Sequence, residues 1–160
     1  MRPSLASDRA AGIASGREIV HGRHRSRLVA AVTLHGDTAI VLARPLALSR
    51  VLANLLDNAI RYGASADVGV DADRERVRMR IDDRGPGIAP GLLEQVFQPF
   101  FRVEASRNRA SGRSGLGLYI APDLLRRQGG DVTIANRPGG GLRAEIVLPR
   151  GPSAKAPPVT

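Results

Sequence analysis

An amphipathic segment in the first half of the chain, residues 45–62, constrains the fold more than any other feature. On a helix each residue advances about 100°, so residues three or four apart share a face. By this phase Asn54, Asn58 and Arg61 lie on one face, with Arg50 beside them. The opposite face is aliphatic and consists of Leu48, Leu52, Leu55, Leu56 and Ala59. The pattern predicts a helix that buries its leucines in a core and presents two amides and an arginine to a ligand.

The boundaries of this helix and the β-rich runs around it can also be predicted. Pro45 is tolerated in a first helical turn, and Gly63 is predicted to end the helix. Residues 28–34 and 38–43 flank a turn signature at 35–37, which predicts a β-hairpin. Four further runs alternate well enough to be strands: 66–72, 76–82, 132–136 and 142–148.

The rest of the chain completes a predicted α+β domain. Residues 92–97 favour a short helix, and residues 115–128 a long one that Pro122 should kink. Strands grouped with helices on one face give a two-layer α/β sandwich with a mixed β-sheet. The predicted organisation is a weakly ordered segment at 1–27, one domain at 28–149 and a disordered tail at 150–160.

Composition narrows the possible partners and locations. The net charge is +9 and Lys155 is the only lysine, so the excess is arginine. These arginines are scattered and no stacking aromatics interleave with them, which argues against nucleic acid. Cysteine is absent, and no apolar run approaches the ~20 residues of a membrane span. We expect a cytoplasmic chain, or the cytoplasmic part of a membrane-bound sensor.

Two glycine-containing boxes follow the helix. Asp83 ends a predicted strand and precedes Gly85 and Gly87, so its carboxylate can accept from an exocyclic amine while the glycines allow a base to approach. Asp82 should point to the other face of the strand. The later box, residues 114–118, is predicted to open a helix whose exposed N–H groups bind phosphate.

The order and spacing of these boxes resemble the ATP-binding domain of sensor histidine kinases, within the wider family of gyrase, heat-shock protein ninety and mismatch-repair ATPases. The resemblance covers residues 28–149 and implies the Bergerat ATP-binding fold, with ATP and Mg²⁺ as cofactors. It implies that Asn58 is the metal ligand, which suits the oxygen preference of magnesium. It also implies that Arg61 contacts phosphate, that Tyr62 covers the adenine or ribose, and that Asp83 reads the adenine amine.

The predicted ATP site comprises Asn54, Asn58, Arg61, Tyr62, Asp83, Gly85, Gly87, Ile88, Phe101, Arg102, Ser114, Gly115, Leu116, Gly117 and Leu118. No catalytic side chain is assigned. Hydrolysing members of the wider family carry a glutamate where this chain has Asn54, and an amide cannot act as a general base. The pattern therefore favours phosphoryl transfer over hydrolysis.

The implied function is transfer of the γ-phosphoryl group to a histidine on a separate dimerisation and phosphoacceptor domain, in cis or in trans, with a response regulator acting downstream. His21, His24 and His35, which is placed in a turn, lack the acceptor's usual surroundings. Two alternatives stay open: an anti-sigma-type serine kinase or binding module, and a degenerate nucleotide-binding domain without transfer. Arg113 departs from the family pattern, where a glycine is usual.

Overall fold

The computed structural model describes residues 10–13, 31–101 and 117–152. Seven strands lie within these residues: β1 Ala10–Ile13, β2 Ala31–Gly36, β3 Ala39–Leu42, β4 Ser65–Ala72, β5 Arg76–Asp83, β6 Asp131–Asn136 and β7 Leu142–Pro149. The same residues contain two α-helices, α1 Pro45–Gly63 and α2 Ala121–Arg126, and a 3₁₀ helix at Pro90–Gln95.

The main sheet has five strands in the order β2-β4-β5-β7-β6. Only β2 and β4 run parallel; the other neighbours are antiparallel. On β5, Val77, Met79 and Ile81 are buried, while the arginines between them face outward. Helix α1 contacts β4, β5 and α2, so the helices form a second layer over the apolar face. The predicted two-layer α+β sandwich with a mixed sheet is confirmed.

Helix α1 begins at Pro45 as predicted but does not end on a left-handed glycine. The left-handed residue is Ala64, with φ of 57°, and its N–H donates to the Ile60 carbonyl. A Cβ at Gly63 would lie 2.7 Å from the backbone nitrogen of Arg84, which follows β5. The helix therefore ends at Gly63, as predicted, but the left-handed cap is Ala64, and Gly63 instead allows close contact between the helix end and the loop after β5.

The predicted hairpin between residues 28–34 and 38–43 is also wrong, because β2 and β3 belong to different sheets. A turn does occur: Gly36 has a φ of 109°. Its neighbour Asp37, however, donates its N–H to the Val70 carbonyl at 2.8 Å and accepts from the Ala72 N–H at 2.9 Å. These bonds tie the turn to β4, so β3 pairs with β1 instead of folding back on β2.

Helix α2 is much shorter than the predicted helix over residues 115–128. Residues 117–120 form turns, and Pro122 lies in the first turn of α2, where a missing N–H costs no helical hydrogen bond. The predicted kink is therefore wrong. The helical prediction at 92–97 corresponds to the 3₁₀ helix Pro90–Gln95.

The structure also describes residues on both sides of the predicted domain at 28–149. Strand β1 lies within the segment predicted to be weakly ordered. At the other end, β7 continues to Pro149 and the Arg150 N–H donates to the Glu75 carbonyl at 2.8 Å. Gly151 is buried and donates to the Ile40 carbonyl at 2.7 Å. Residues 150 and 151 are therefore hydrogen-bonded to the turn between β4 and β5 and to β3.

Candidate nucleotide-binding site

Asp83 is the centre of the candidate site and the only charged residue found buried in the described parts of the chain, at 6% exposure. One carboxylate oxygen, Oδ1, accepts from the N–H of Gly85 at 2.8 Å and from the N–H of Leu142 at 3.0 Å. No donor among the described residues reaches the other oxygen, Oδ2. The protein thus fixes the carboxylate through one oxygen and leaves the second as an acceptor.

The glycines after Asp83 make close contacts within the protein that a side chain would block. A Cβ at Gly85 would lie 2.7 Å from the Tyr62 carbonyl oxygen. A Cβ at Gly87, whose φ is 75°, would lie 2.6 Å from Asn136 Oδ1. The loop after β5 therefore packs closely against both the end of α1 and the end of β6.

The turn between β6 and β7 supplies residues that the sequence analysis did not assign to the site. Asn136 Oδ1 accepts from the Ile88 N–H at 2.9 Å, and Asn136 Nδ2 donates to the Ile88 carbonyl at 2.6 Å. Arg137 Nη1 donates to the Asp83 carbonyl at 2.7 Å. The only sequence signal was an asparagine followed by arginine at a strand end, which pointed to a turn.

Asp82 faces away from Asp83 and belongs to an ion network on the outer face of the sheet. Arg143 donates to both carboxylate oxygens at 2.7 Å, and Arg137 Nε lies 3.4 Å from Oδ2. The hydrogen bonds from Arg143 hold the pKa of Asp82 below its usual range, and the positive charges of Arg143 and Arg137 act in the same direction. Arg137 therefore links this network to the backbone of Asp83.

The two asparagines of α1 have different surroundings. Asn54 Nδ2 donates to the Gly117 carbonyl at 3.0 Å, so it ties the segment before α2 to α1. Asn58 is half-buried, and its amide has no hydrogen-bond partner in the described parts of the chain. An amide oxygen with no internal partner fits a metal that keeps several waters and takes few protein ligands. No group of three or more His, Cys, Asp or Glu side chains suited to a metal occurs in residues 31–101 and 117–152.

The remaining predicted residues divide between those the structure describes and those it does not. Arg61 and Tyr62 are exposed at the end of α1, and Tyr62 is 42% exposed. Ile88 and Phe101 are half-buried, and Leu118 packs against the core. Four predicted site residues lie outside the described residues: Arg102, Ser114, Gly115 and Leu116. The same holds for Arg113, His21 and His24.

Two further predictions need correction. The described end of the box, residues 117–118, lies in turns, and α2 starts only at Ala121. His35 lies in strand β2 and not in a turn; its Nε2 is 3.2 Å from Asp67 Oδ1 on the neighbouring strand. The ring covers Gly69, where a Cβ would lie 2.8 Å from His35 Cε1.

Comparison with known proteins identifies the family. Residues 43–152 match the family model of histidine kinase-, DNA gyrase B- and HSP90-like ATPases. The chain belongs to this family. Within it, the chain is similar to sensor histidine kinases, which confirms the resemblance found in the sequence.

Two curated relatives illustrate the extent of the similarity. The chain is 45% identical to the sensor histidine kinase GtrS of Pseudomonas aeruginosa over 107 residues, which are 67% of this chain and 22% of that protein. It is 41% identical to the sensor histidine kinase CpxA of Escherichia coli over 106 residues, 66% of this chain and 23% of that protein. The chain therefore spans less than a quarter of the length of these relatives.

Solved structures agree with this assignment. The mycobacterial sensor histidine kinase MprB superposes with a TM-score of 0.67 at 29% identity, covering 76% of this chain and 84% of that one. The nucleotide-free catalytic domain of histidine kinase ThkA gives a TM-score of 0.64 at 26% identity, covering 76% and 80%. The fold is that of histidine kinase ATP-binding domains. None of the described helices has the length and apolar character needed to cross a membrane.

Proposed function

We propose that this chain binds Mg·ATP and supplies the γ-phosphoryl group to a histidine on a separate dimerisation and phosphoacceptor domain. The observation that carries the proposal is Asp83: a buried carboxylate with one oxygen held by two backbone N–H groups and the other without a donor among the described residues. A fixed acceptor of this kind suits the exocyclic amine of adenine and would face the carbonyl of guanine unfavourably.

Magnesium, when bound, would supply positive charge that stabilises the triphosphate during transfer. Asn58 is the residue proposed to hold it, because its amide has no hydrogen-bond partner in the described parts of the chain. Arg61 is exposed one helical turn further on and can reach phosphate oxygens as a charged donor. A neutral amide ligand adds no negative charge beside the triphosphate.

Transfer, and not hydrolysis, is the proposed reaction. Asn54 occupies the position at which hydrolysing relatives would need a base, and its amide already donates to the Gly117 carbonyl. An amide cannot deprotonate water. In the proposed step the imidazole nitrogen of the partner bonds to the γ-phosphorus as the bond to the β,γ-bridging oxygen breaks, and ADP leaves. Positioning and charge stabilisation then supply the catalysis.

The relatives named as sensor kinases are the support for the remaining parts of the proposal. The acceptor domain would act in cis within a longer chain or in trans, and a response regulator would receive the phosphoryl group from it. The domain would work in the cytoplasm, where ATP is available.

Asp83→Asn tests the proposed base recognition. Two N–H groups demand an oxygen at the position of Oδ1, so the amide nitrogen of the variant would sit where Oδ2 now lies and would oppose the adenine amine. We expect ATP affinity to fall about ten- to hundredfold, corresponding to one charge-assisted hydrogen bond, with GTP much less affected. Calorimetric titration of both nucleotides with Mg²⁺ measures this, and Asp82→Asn is the matched control. Equal losses for ATP and GTP would contradict the role of Asp83.

Incubation with γ-labelled ATP and a helical-hairpin histidine partner tests the transfer. Acid-labile label on the partner supports a histidine kinase. Acid-stable label on a serine would support the serine kinase alternative, and binding without any label would support a nucleotide-binding domain that does not transfer.

A further inference from the structure

Asn136 holds the backbone of Ile88 through both ends of its side-chain amide. Oδ1 accepts from the Ile88 N–H at 2.9 Å, while Nδ2 donates to the Ile88 carbonyl at 2.6 Å. A neighbouring β-strand makes the same pair of bonds to a residue opposite it. Asn136 is the last residue of β6, so its side chain extends the edge of the sheet by one pair of hydrogen bonds to a loop that is not itself a strand.

The loop lies directly on this amide. Gly87 has a φ of 75°, and a Cβ added there would lie 2.6 Å from Asn136 Oδ1. At its other end the loop is bonded independently, because Asp83 Oδ1 accepts from Gly85 and Leu142. Loss of the Asn136 amide should therefore release Gly87 and Ile88 while Asp83 keeps its orientation.

We infer that Asn136 is a positioning residue for nucleotide binding: it holds the Gly87–Ile88 backbone in place beside the Asp83 carboxylate. This inference rests on the proposed function. It assigns to the β6–β7 turn a role in nucleotide affinity that neither composition nor the glycine boxes indicate. Asn136 itself acts through Ile88 and need not touch the ligand.

The test compares wild type with Asn136→Ala, Asn136→Asp and Thr133→Ala. Thr133 is an exposed residue on the same strand and makes none of the hydrogen bonds described at the site, which makes its alanine variant the matched control. Aspartate keeps the acceptor for the Ile88 N–H but loses the donor to the Ile88 carbonyl. Circular dichroism establishes the temperature range in which each variant is folded, and all binding measurements are made below it.

Two readouts are expected to change together. The Kd for Mg·ADP should rise about tenfold in Asn136→Ala, as for the loss of two neutral hydrogen bonds, and by less in Asn136→Asp. The preference for adenine over guanine nucleotides should survive, since Asp83 is held separately. Amide exchange by NMR should show the Ile88 N–H protected in wild type, Asn136→Asp and Thr133→Ala but unprotected in Asn136→Ala. General destabilisation would not single out this one amide.

The possible failures are distinguishable. If wild type binds no adenine nucleotide, the proposed function falls and this inference falls with it. If wild type binds but Asn136→Ala binds within twofold of it, only the positioning role is overturned. An Ile88 N–H that exchanges freely in wild type overturns the role even if no alanine variant can be folded.

Discussion

The loop after β5 and the polar face of α1 form two sides of the candidate site, and they differ in how many of their polar groups are hydrogen-bonded within the protein. Around the loop, Asn136 binds the backbone of Ile88 and Arg137 binds the backbone of Asp83. The N–H of Leu142 donates to one carboxylate oxygen of Asp83. On α1, the amide of Asn58 has no hydrogen-bond partner within the described residues, and Arg61 is exposed. The groups proposed to contact the base are held by hydrogen bonds within the protein. The Asn58 amide, which is proposed to contact the metal and phosphates, has no such bonds among the described residues.

This difference has a physical reason. Discrimination between bases depends on an acceptor held in one place, because a carboxylate free to move could instead accept from the N–H groups of guanine. Phosphate and magnesium binding depend mainly on charge and on oxygen ligands that tolerate varied geometry. Substitutions on the loop side should therefore affect the unliganded protein, and those on the Asn58 side should affect mainly the liganded one.

The largest effect is expected from Gly141→Ala in the β6–β7 turn. Gly141 has a φ of 87°, and a Cβ there would lie 2.0 Å from the Asp83 carbonyl oxygen, which is backbone and cannot move aside cheaply. Overpacking and a left-handed alanine together should lower the free energy of unfolding by about 3 kcal/mol or more. Urea denaturation measures this loss.

Gly139→Ala is the matched control for that substitution. Gly139 has a φ of 86° but nothing within 4 Å of an added Cβ, so only the backbone term remains, about 1 kcal/mol. Equal losses of stability in the two variants would show that the contact between Gly141 and Asp83 does not stabilise the loop after β5. The proposed difference between the two sides of the site would then be wrong.

An intermediate effect is expected from Asp82→Asn, which weakens the ion network beneath the loop. The pKa of Asp82 is lowered in the folded state, mainly by the hydrogen bonds from Arg143. The ionised carboxylate therefore stabilises the fold at neutral pH, and this stabilisation is lost as the pH falls through the lowered pKa. Because both partners are partly exposed to solvent, we expect a loss of about 1 kcal/mol at pH 7.

The sign of the pH dependence gives a sharper test. Wild type and Asp82→Asn should differ by a constant free energy of unfolding from about pH 5 to 8. The difference should begin to shrink below about pH 4, the ordinary pKa of an aspartate, and should vanish once the pH falls through the lowered pKa of Asp82. Denaturation curves across this range measure the difference. A gap that widens on acidification would refute the assigned pairing.

The smallest effect on the unliganded protein is expected from Asn58→Ala. The amide has no hydrogen-bond partner in the described parts of the chain, and alanine has the higher helix propensity, so stability should change by less than about 0.5 kcal/mol. The Mg²⁺-dependent part of ATP affinity should nevertheless be lost, which titration with and without the metal measures.

Asn54→Ala is the counterpart on the same helix face. It removes the hydrogen bond to the Gly117 carbonyl, so it should lower the stability of the unliganded protein by about 1 kcal/mol. A destabilised Asn58→Ala beside an unaffected Asn54→Ala would reverse the roles given to these two residues.

Local patterns accounted for much of the fold and for part of the site. The leucine stripe of α1 and the alternation of β5 each follow from side-chain spacing along one element, and both are present. The length of the helix predicted at 115–128 was overestimated because the apolar periodicity continues through Pro122. In the structure Pro122 lies in the first turn of α2. The proposed phosphate side of the site was predicted from residue type and helix phase, which place Asn54, Asn58 and Arg61 on one face of α1.

The sequence by itself determined that an amphipathic helix, a set of alternating strands and an aspartate–glycine box would combine into an α+β domain of the histidine kinase type. Only the tertiary structure decided that β2 pairs with β4 and that Asn136 and Arg137 hold the loop after β5. The same is true of the close contacts within the protein that require glycine at positions 63, 85 and 87. Spacing along a chain specifies which residues share a face. It carries no information about which distant backbone atoms will come within 3 Å of one another, because that distance depends on how separate elements pack.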